Sequence, residues 1–133
     1  MPLALEIVSP EKLLVSRPVD MVVIPGSEGD IGALPGHAPM ITMLRGGVVS
    51  LYEGDQITSR LFVTGGFAEI TPERCTVLAD SALSVAEIDR PAAEAALAAA
   101  ESAFKAVGAS DMAGTAKAME DLQVATARVE ALR

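Results

Sequence analysis

The side chains best suited to acid–base or metal chemistry lie close together in residues 24–40. They are Glu28, Asp30 and His37, and His37 is the only histidine of the chain. A histidine near two carboxylates can exchange protons with a substrate or hold a metal ion. A single histidine in a loop rich in turns, however, is more often a structural or interface residue. We therefore favour a contact role for this segment, with an enzyme that uses the three groups as the alternative hypothesis.

The same segment is rich in glycine and proline, so phosphate binding has to be considered. Its glycine spacing matches neither GxxxxGK[ST] nor GxGxxG, and no lysine follows. Glu28 and Asp30 would also repel a phosphate group. Ser27 lacks the GxSxG context of a hydrolase nucleophile. These patterns predict neither a phosphate-binding loop nor a catalytic triad.

Cys75 is the only cysteine, so the chain cannot form an internal disulfide. It lies in residues 74–78 (RCTVL), an apolar run that is typical of a strand. A small side chain in such a run is usually buried. We expect a core residue here rather than a nucleophile, and a lone reduced thiol suits the cytosol.

The chain is acidic, with 18 Asp and Glu against 10 Lys and Arg in 133 residues and a formal net charge of −8. Phosphate backbones and anionic lipid surfaces repel such a protein. No stretch reaches the ~18 apolar residues that a membrane span requires, and no basic leader marks a signal peptide. We expect a soluble protein that binds no nucleic acid and reaches a membrane only through a partner.

The elements that hold these side chains change in character near residue 85. Residues 1–85 contain short runs in which apolar residues alternate with polar ones, separated by Gly- and Pro-rich turns. A period of two residues is typical of strands with one buried face. The predicted inward residues are Leu3, Leu5, Ile7, Val49, Leu51, Ile57, Leu61, Val63, Cys75 and Val77, and the run from Val19 to Ile24 is apolar on both faces. Many short strands at this spacing predict a β-sandwich or flattened barrel.

Residues 86–133 predict two helices. Asp89 can cap the first helix, with Pro91 in its first turn, and Gly108 ends it. Apolar residues then recur every three or four positions and give each helix one apolar stripe. The stripes are Ala93, Leu97, Ala100, Phe104 and Val107 in the first helix, and Ala118, Leu122, Ala125, Val129 and Leu132 in the second. A short loop makes the pair an antiparallel hairpin, and its alanine-rich stripes predict loose attachment to the sandwich.

Several motifs together resemble the epsilon subunits of F-type ATP synthases. Residues 25–32 (PGSEGDIG) and 34–39 (LPGHAP) resemble the signature of this family. The segments that fit the same pattern further along are 44–47 (LRGG), 65–70 (GGFAEI), 75–80 (CTVLAD) and 88–89 (ID). The resemblance covers essentially the whole chain and keeps the order of a β-rich half followed by a helical hairpin.

The resemblance implies a ten-stranded β-sandwich, residues 1–85, followed by an antiparallel α-helical hairpin, residues 86–133. It implies a non-catalytic rotor subunit of the central stalk, which links the gamma subunit to the c ring and couples proton transport to ATP synthesis. The hairpin would contact the alpha and beta subunits and can restrain ATP hydrolysis. The subunit would lie at the cytoplasmic face of the bacterial inner membrane as a peripheral part of the complex.

The resemblance also implies partner contacts in the loop from residue 28 to residue 39. The interface residues that we expect are Glu28, Gly29, Asp30, His37, Ala38 and Pro39. The family resemblance places this edge of the sandwich towards the c ring. We expect no catalytic residue, no metal ligand and no cofactor. A free-standing β-sandwich that binds other proteins is the alternative function.

Some relatives bind ATP through an Ile/Leu-Asp-x-x-Arg-Ala motif, and this chain keeps only part of it. Asp89 is present, but Ala92 stands where the motif has arginine. At ~100° per helical residue, Arg90 would point about 200° away from that position. We therefore treat Asp89 as a weak remnant of a nucleotide motif and expect little or no ATP binding.

Overall fold

The computed structural model describes residues 2–133; Met1, with which the predicted β domain begins, lies outside the described residues. Ten strands precede a short 3-10 helix and two α-helices. The strands are β1 Leu3–Val8, β2 Leu13–Val19, β3 Met21–Gly26, β4 Gly29–Ala33, β5 Met40–Leu44, β6 Gly47–Glu53, β7 Gln56–Val63, β8 Gly66–Ile70, β9 Arg74–Ala79 and β10 Ala82–Ser84. The 3-10 helix is Val85–Glu87, and the α-helices are α1 Arg90–Ala106 and α2 Met112–Glu130. The predicted order of about ten strands and then a helical hairpin is confirmed, whereas the division at residues 85 and 86 stays a prediction.

The strands form one curled sheet in the order β10-β7-β6-β3-β5-β8-β9-β1-β2, with β4 paired to β3 outside this path. Paired strands run antiparallel, with the exception of β1 and β9, which are parallel. Because the sheet folds over on itself, the inward side chains of its two halves meet in a single core. Glu28 and Asp30 are exposed, whereas Ile24 and Ala33 of the same segment belong to this core.

Alternation along the strands builds the core as the sequence predicts. Leu3, Leu5 and Ile7 of β1 are buried, and so are Val49 and Leu51 of β6. The fully buried core members from other strands are Val22, Ile24, Ala33, Val63, Ala68, Ile70, Cys75 and Val77. Each of these apolar side chains contributes roughly 1.5–3 kcal/mol when it leaves water, if it is as large as valine or leucine.

One inward assignment in β7 is wrong. Ile57 is 47% exposed. The pairing shifts by one residue between β6 and β7, so that Leu51 faces Ser59 whereas Tyr52 faces Ile57. This irregularity moves Ile57 to the outer face. Phe62, which the alternation predicts to point outward, is fully buried, because the helical hairpin covers this part of the outer face.

Each helix begins at a capping aspartate, and Asp89 is the predicted cap of the first helix. The Asp89 carboxylate accepts the Ala92 N–H at 3.3 Å, with Pro91 in the first turn of α1. The Asp111 carboxylate accepts the Gly114 N–H at 2.8 Å and caps α2. Within residues 2–133, neither helix is long and apolar enough to cross a membrane.

The hairpin is folded against the sandwich. α1 packs on α2, and α2 packs on β6. Three members of the predicted stripes, Ala93, Ala118 and Ala125, are buried. Phe104 departs from the prediction, since 38% of its side chain is exposed.

Candidate functional site

The acidic end of the candidate segment is a tight β-hairpin between β3 and β4. Gly26 pairs with Gly29 across the turn, and Glu28 lies exposed in the turn itself. The Asp30 carboxylate accepts a hydrogen bond from the Arg45 guanidinium at 2.6 Å. Arg45 also donates to the Gly26 carbonyl at 2.5 Å. The hairpin therefore presents carboxylates on a backbone that Arg45 holds in place.

His37 is positioned by a second turn. Its N–H donates to the Leu34 carbonyl at 3.0 Å, and the Gly36 N–H donates to the Pro72 carbonyl at 2.7 Å. The His37 Nδ1 lies 2.7 Å from the Ala38 carbonyl oxygen. A carbonyl oxygen can only accept, so Nδ1 carries the proton in this arrangement. The ring is half-buried and takes a structural part in the turn.

The structure separates the six predicted interface residues into two groups. Glu28, Gly29 and Asp30 lie where β4 begins, whereas His37, Ala38 and Pro39 follow its end. Five residues of strand span roughly 13 Å. Among the described residues, no group of three His, Cys, Asp or Glu side chains is arranged to hold a metal ion. The enzyme alternative, which needs His37 beside Glu28 and Asp30, therefore lacks its geometry.

An exposed apolar surface on β5, β8 and β9 was not predicted from the sequence. Met43, Phe67 and Leu78 face one another across three neighbouring strands. They are 61%, 42% and 37% exposed, and Ile41, two residues before Met43, is 70% exposed. We call these four residues the apolar patch. The sequence does contain a signal for the apolar patch, because both faces of β5 (MITML) carry apolar residues.

Contiguous exposed apolar side chains commonly mark an interaction site. Glu69 of β8 pairs with Ile41 on one side and with Thr76 on the other, so a carboxylate lies beside the apolar patch. The turn of His37 leads directly into β5 and hence to Ile41. Together these features form a surface that can bind a protein with an apolar centre, and they offer no arrangement for bond-making chemistry.

Cys75 is fully buried. Burial raises the pKa of its thiol from 9.0 to about 11, because the apolar core disfavours the thiolate. The predicted role as a core residue is confirmed. The raised pKa favours the folded state below pH 9, and this contribution is lost as the pH rises towards 11.

We expect the thiol of native Cys75 to react with a thiol reagent at pH 8 at least about 100-fold more slowly than that of the unfolded chain. Two units of pKa reduce the thiolate fraction by this factor, and burial adds to it. Labelling followed by absorbance, with and without guanidinium chloride, checks the expectation. Native and unfolded rates within tenfold of each other would contradict it.

Asp89 and Arg90, which lie in the partial nucleotide motif, make contacts within the hairpin. Asp89 serves as the cap of α1 through the Ala92 N–H. The Arg90 guanidinium donates to the Leu132 carbonyl at 3.0 Å and lies 4.0 Å from Glu94. Asp89 and Arg90 therefore both have structural partners, and the role of Asp89 as a weak remnant of a nucleotide motif stays a prediction.

Comparison with known proteins gives consistent matches over the chain. Residues 2–85 match the family profile "ATP synthase, Delta/Epsilon chain, beta-sandwich domain". The chain is 61% identical over 130 residues to the ATP synthase epsilon chain of Granulibacter bethesdensis, covering 98% of this chain and 96% of that one. It is 47% identical over 131 residues to the epsilon chain of Gluconacetobacter diazotrophicus, covering 98% and 93%.

A solved structure has the same fold. A chain in the cryo-EM structure of the Euglena gracilis mitochondrial ATP synthase superimposes with a TM-score of 0.84 at 22% identity, covering 99% of this chain and 82% of that chain. At this level of identity the likeness concerns the fold. The family is established by the sequence, because a relative at 61% identity spans nearly the whole length of both chains. The chain belongs to the family of ATP synthase epsilon chains.

Proposed function

We propose that this chain is a non-catalytic rotor subunit in the central stalk of an F-type ATP synthase, where it links the gamma subunit to the c ring. Membership of the epsilon-chain family supports this role. In it, the chain helps to couple proton transport to ATP synthesis. It would lie at the cytoplasmic face of the bacterial inner membrane, held there by its partners. A free-standing β-sandwich module has no observation that favours it.

The observation that carries the proposal is the apolar patch, which we assign to the gamma subunit. Met43, Phe67 and Leu78 present a row of large side chains to solvent. Such a row is a typical core for a protein interface, where buried apolar anchors supply most of the affinity. His37, Ala38 and Pro39 immediately precede β5, the strand that carries Ile41 and Met43 of the patch.

The experiment that tests the proposal is reconstitution with purified gamma subunit and c ring. We expect the chain to bind gamma as a stable complex and to join a larger assembly when the c ring is added. Size-exclusion chromatography with mass detection checks both steps. A chain that binds neither partner contradicts the proposed function.

We propose that the other group, Glu28, Gly29 and Asp30, faces basic groups of the c ring. Glu28 is exposed in the β3–β4 turn, and the Asp30 side chain is 63% exposed although Arg45 binds one of its oxygens. Exposed ion pairs contribute only ~0.2–1 kcal/mol each. This contact would therefore orient the subunit on the ring more than hold it there.

We expect the double substitution Glu28→Lys and Asp30→Lys to weaken attachment to the c ring by roughly two- to thirtyfold, since two such pairs become repulsive. The measurement is binding of the chain–gamma complex to c rings at two salt concentrations, because screening should shrink the effect. The matched control is Glu53→Lys with Asp55→Lys, which makes the same charge change at the end of β6 and in the turn that follows it. Equal binding by both double variants would refute the assignment.

The hairpin is proposed to contact the alpha and beta subunits and to restrain ATP hydrolysis weakly. Residues 110–133 contain Lys117, Arg128 and Arg133 against Asp111, Glu120, Asp121 and Glu130, three positive charges and four negative. A segment with a net charge of −1 gains little from an acidic surface. Any strong restraint would have to come from shape or apolar contact.

A further inference from the structure

Hydrogen bonds from Arg45 attach the β5–β6 turn to the neighbouring strands β3 and β4. The Arg45 N–H donates to the Pro25 carbonyl at 3.0 Å. The Arg45 guanidinium binds the Asp30 carboxylate and the Gly26 carbonyl. These three hydrogen bonds fix the backbone directly before Gly46. Gly46 itself is buried.

The side-chain amide of Gln123, in α2, forms two hydrogen bonds with the backbone of Gly46. The Gly46 N–H donates to Gln123 Oε1 at 2.9 Å. The Gln123 Nε2 donates to the Gly46 carbonyl at 2.7 Å. A primary amide carries an acceptor and a donor side by side, so one side chain satisfies both backbone groups. The contact joins the hairpin to the sandwich across 77 positions of sequence.

The absence of a side chain at residue 46 is what lets α2 come this close. A Cβ on Gly46 would lie 3.0 Å from the Cα of Val124 and 3.1 Å from Gln123 Oε1. Gly46 does not adopt a positive φ. An alanine could therefore take its backbone conformation, and the only conflict would be with the helix.

Apart from Phe62, which the hairpin covers completely, the rest of the interface between hairpin and sandwich is modest. The buried side chains of α2 are Ala118 and Ala125, and alanine gains little from burial because it has one methyl group. The Arg128 guanidinium lies 5.1 Å from the centre of the Phe62 ring. Arg60 donates to the Ala131 carbonyl at 3.4 Å, at the long end of hydrogen-bond distances. The two short hydrogen bonds of Gln123 therefore add a directional contact to the apolar cover that the hairpin gives to Phe62.

We propose that Gln123 and Gly46 form a latch that sets how often the α1–α2 hairpin leaves the sandwich. When the latch opens, Phe62 loses its cover and becomes an exposed aromatic side chain on β7. A free helical pair of this size is only marginally stable in water. Opening of the latch therefore also loosens α2.

We expect Gln123→Ala to raise amide hydrogen exchange of α2 by roughly five- to 100-fold, because it removes two hydrogen bonds. Gly46→Ala should raise exchange at least several-fold by a different cause, the close approach to Val124. The matched control is Gln56→Ala, which deletes the chain's other glutamine at the exposed start of β7. Exchange of β1 and β9 amides should stay at the wild-type level in all three variants.

A third variant, Gln123→Glu, separates a two-bond latch from simple packing. Its carboxylate can accept the Gly46 N–H but repels the Gly46 carbonyl. When it is protonated, its O–H donates to that carbonyl and both bonds return. Docking favours the protonated form, so the latch should be closed at low pH and open as the pH rises through the pKa of this glutamate.

Exchange of α2 is measured between pH 4 and 7 as the ratio of variant to wild type. The charged side chains Asp30, Arg45, Arg60 and Glu130 line the same groove in both proteins, so the ratio removes any effect that they share. We expect a ratio above five at pH 7 that falls towards one near pH 4. The proposal is overturned if Gln123→Ala exchanges like wild type, if Gln56→Ala opens α2 as much, or if the ratio for Gln123→Glu does not change with pH.

Discussion

Substitution of Met43 or Phe67 by aspartate is expected to abolish stable binding to the gamma subunit and to leave the sandwich folded. The two side chains are direct neighbours in register on β5 and β8, and both are substantially exposed, so the core does not depend on them. In a complex they would lie at the centre of the apolar patch. A carboxylate buried there without a partner costs several kcal/mol, which corresponds to a loss of affinity on the order of 100-fold or more.

The matched control is Ile57→Asp. Ile57 is 47% exposed on the outer face of β7, so the substitution makes the same chemical change in a strand outside the apolar patch. Binding to purified gamma subunit is measured by titration, and circular dichroism with thermal melting confirms that each variant is folded. Affinity within threefold of wild type for both patch variants, or an equal loss for Ile57→Asp, would remove the assignment of this surface to gamma.

Gly66→Ala is expected to destabilise the fold by at least about 3 kcal/mol, since it combines backbone strain with a steric clash. Gly66 has φ of +126°, and a Cβ there would lie 2.1 Å from the Leu78 carbonyl oxygen. The same Cβ would lie 3.0 Å from the Cα of Ala79. Both atoms belong to the backbone of β9, so no flexible side chain can move aside. Urea unfolding of the purified chain measures the change.

Two other glycines provide graded controls for Gly66. Gly54 has φ of +61° with open space around it, so Gly54→Ala should cost only about 1–2 kcal/mol of backbone strain. Gly108 has open space and no positive φ, and Gly108→Ala should be nearly neutral. If the Gly66→Ala variant is no less stable than Gly54→Ala, the expectation is wrong, and the backbone of β9 can shift to accommodate the added Cβ.

The regular parts of the fold were predictable because one periodicity governed each of them. In β1 and β6 only one face is buried, so Leu3, Leu5, Val49 and Leu51 stand out by alternation. Asp89 marks the start of α1 because a capping carboxylate followed by proline is specific to a first turn. These signals are local, and the structure adds little to them.

The strands β4 and β5 were not predictable in the same way. β4 (GDIGA) has two glycines, and β5 (MITML) has apolar residues on both faces, so neither has a clear period of two. The outward half of β5 is part of the apolar patch. In a single sequence, an apolar residue that contacts a partner cannot be distinguished from an apolar residue that packs in the core.

The features that depend on distant contacts could not be read from the sequence at all. The burial of Phe62 follows from the outer face that α2 covers, and the role of Gln123 follows from its meeting with Gly46. A polar residue at a helix position predicts exposure by default. Only the packing of α2 on β6 turns Gln123 into a partner for a backbone amide.

The parallel pairing of β1 with β9 has a consequence for the order in which the chain can fold on the ribosome. Ala4 is opposite Arg74 in this pairing, and Val8 is opposite Leu78. At ~5–20 residues per second, the ribosome needs roughly 4–14 s to make the 70 residues that separate such partners. During that time β1 can pair with β2, but the backbone groups of its other edge stay unpaired and its apolar face stays uncovered. The nascent chain therefore has to keep its first strand from joining other chains until almost the whole sandwich has been made.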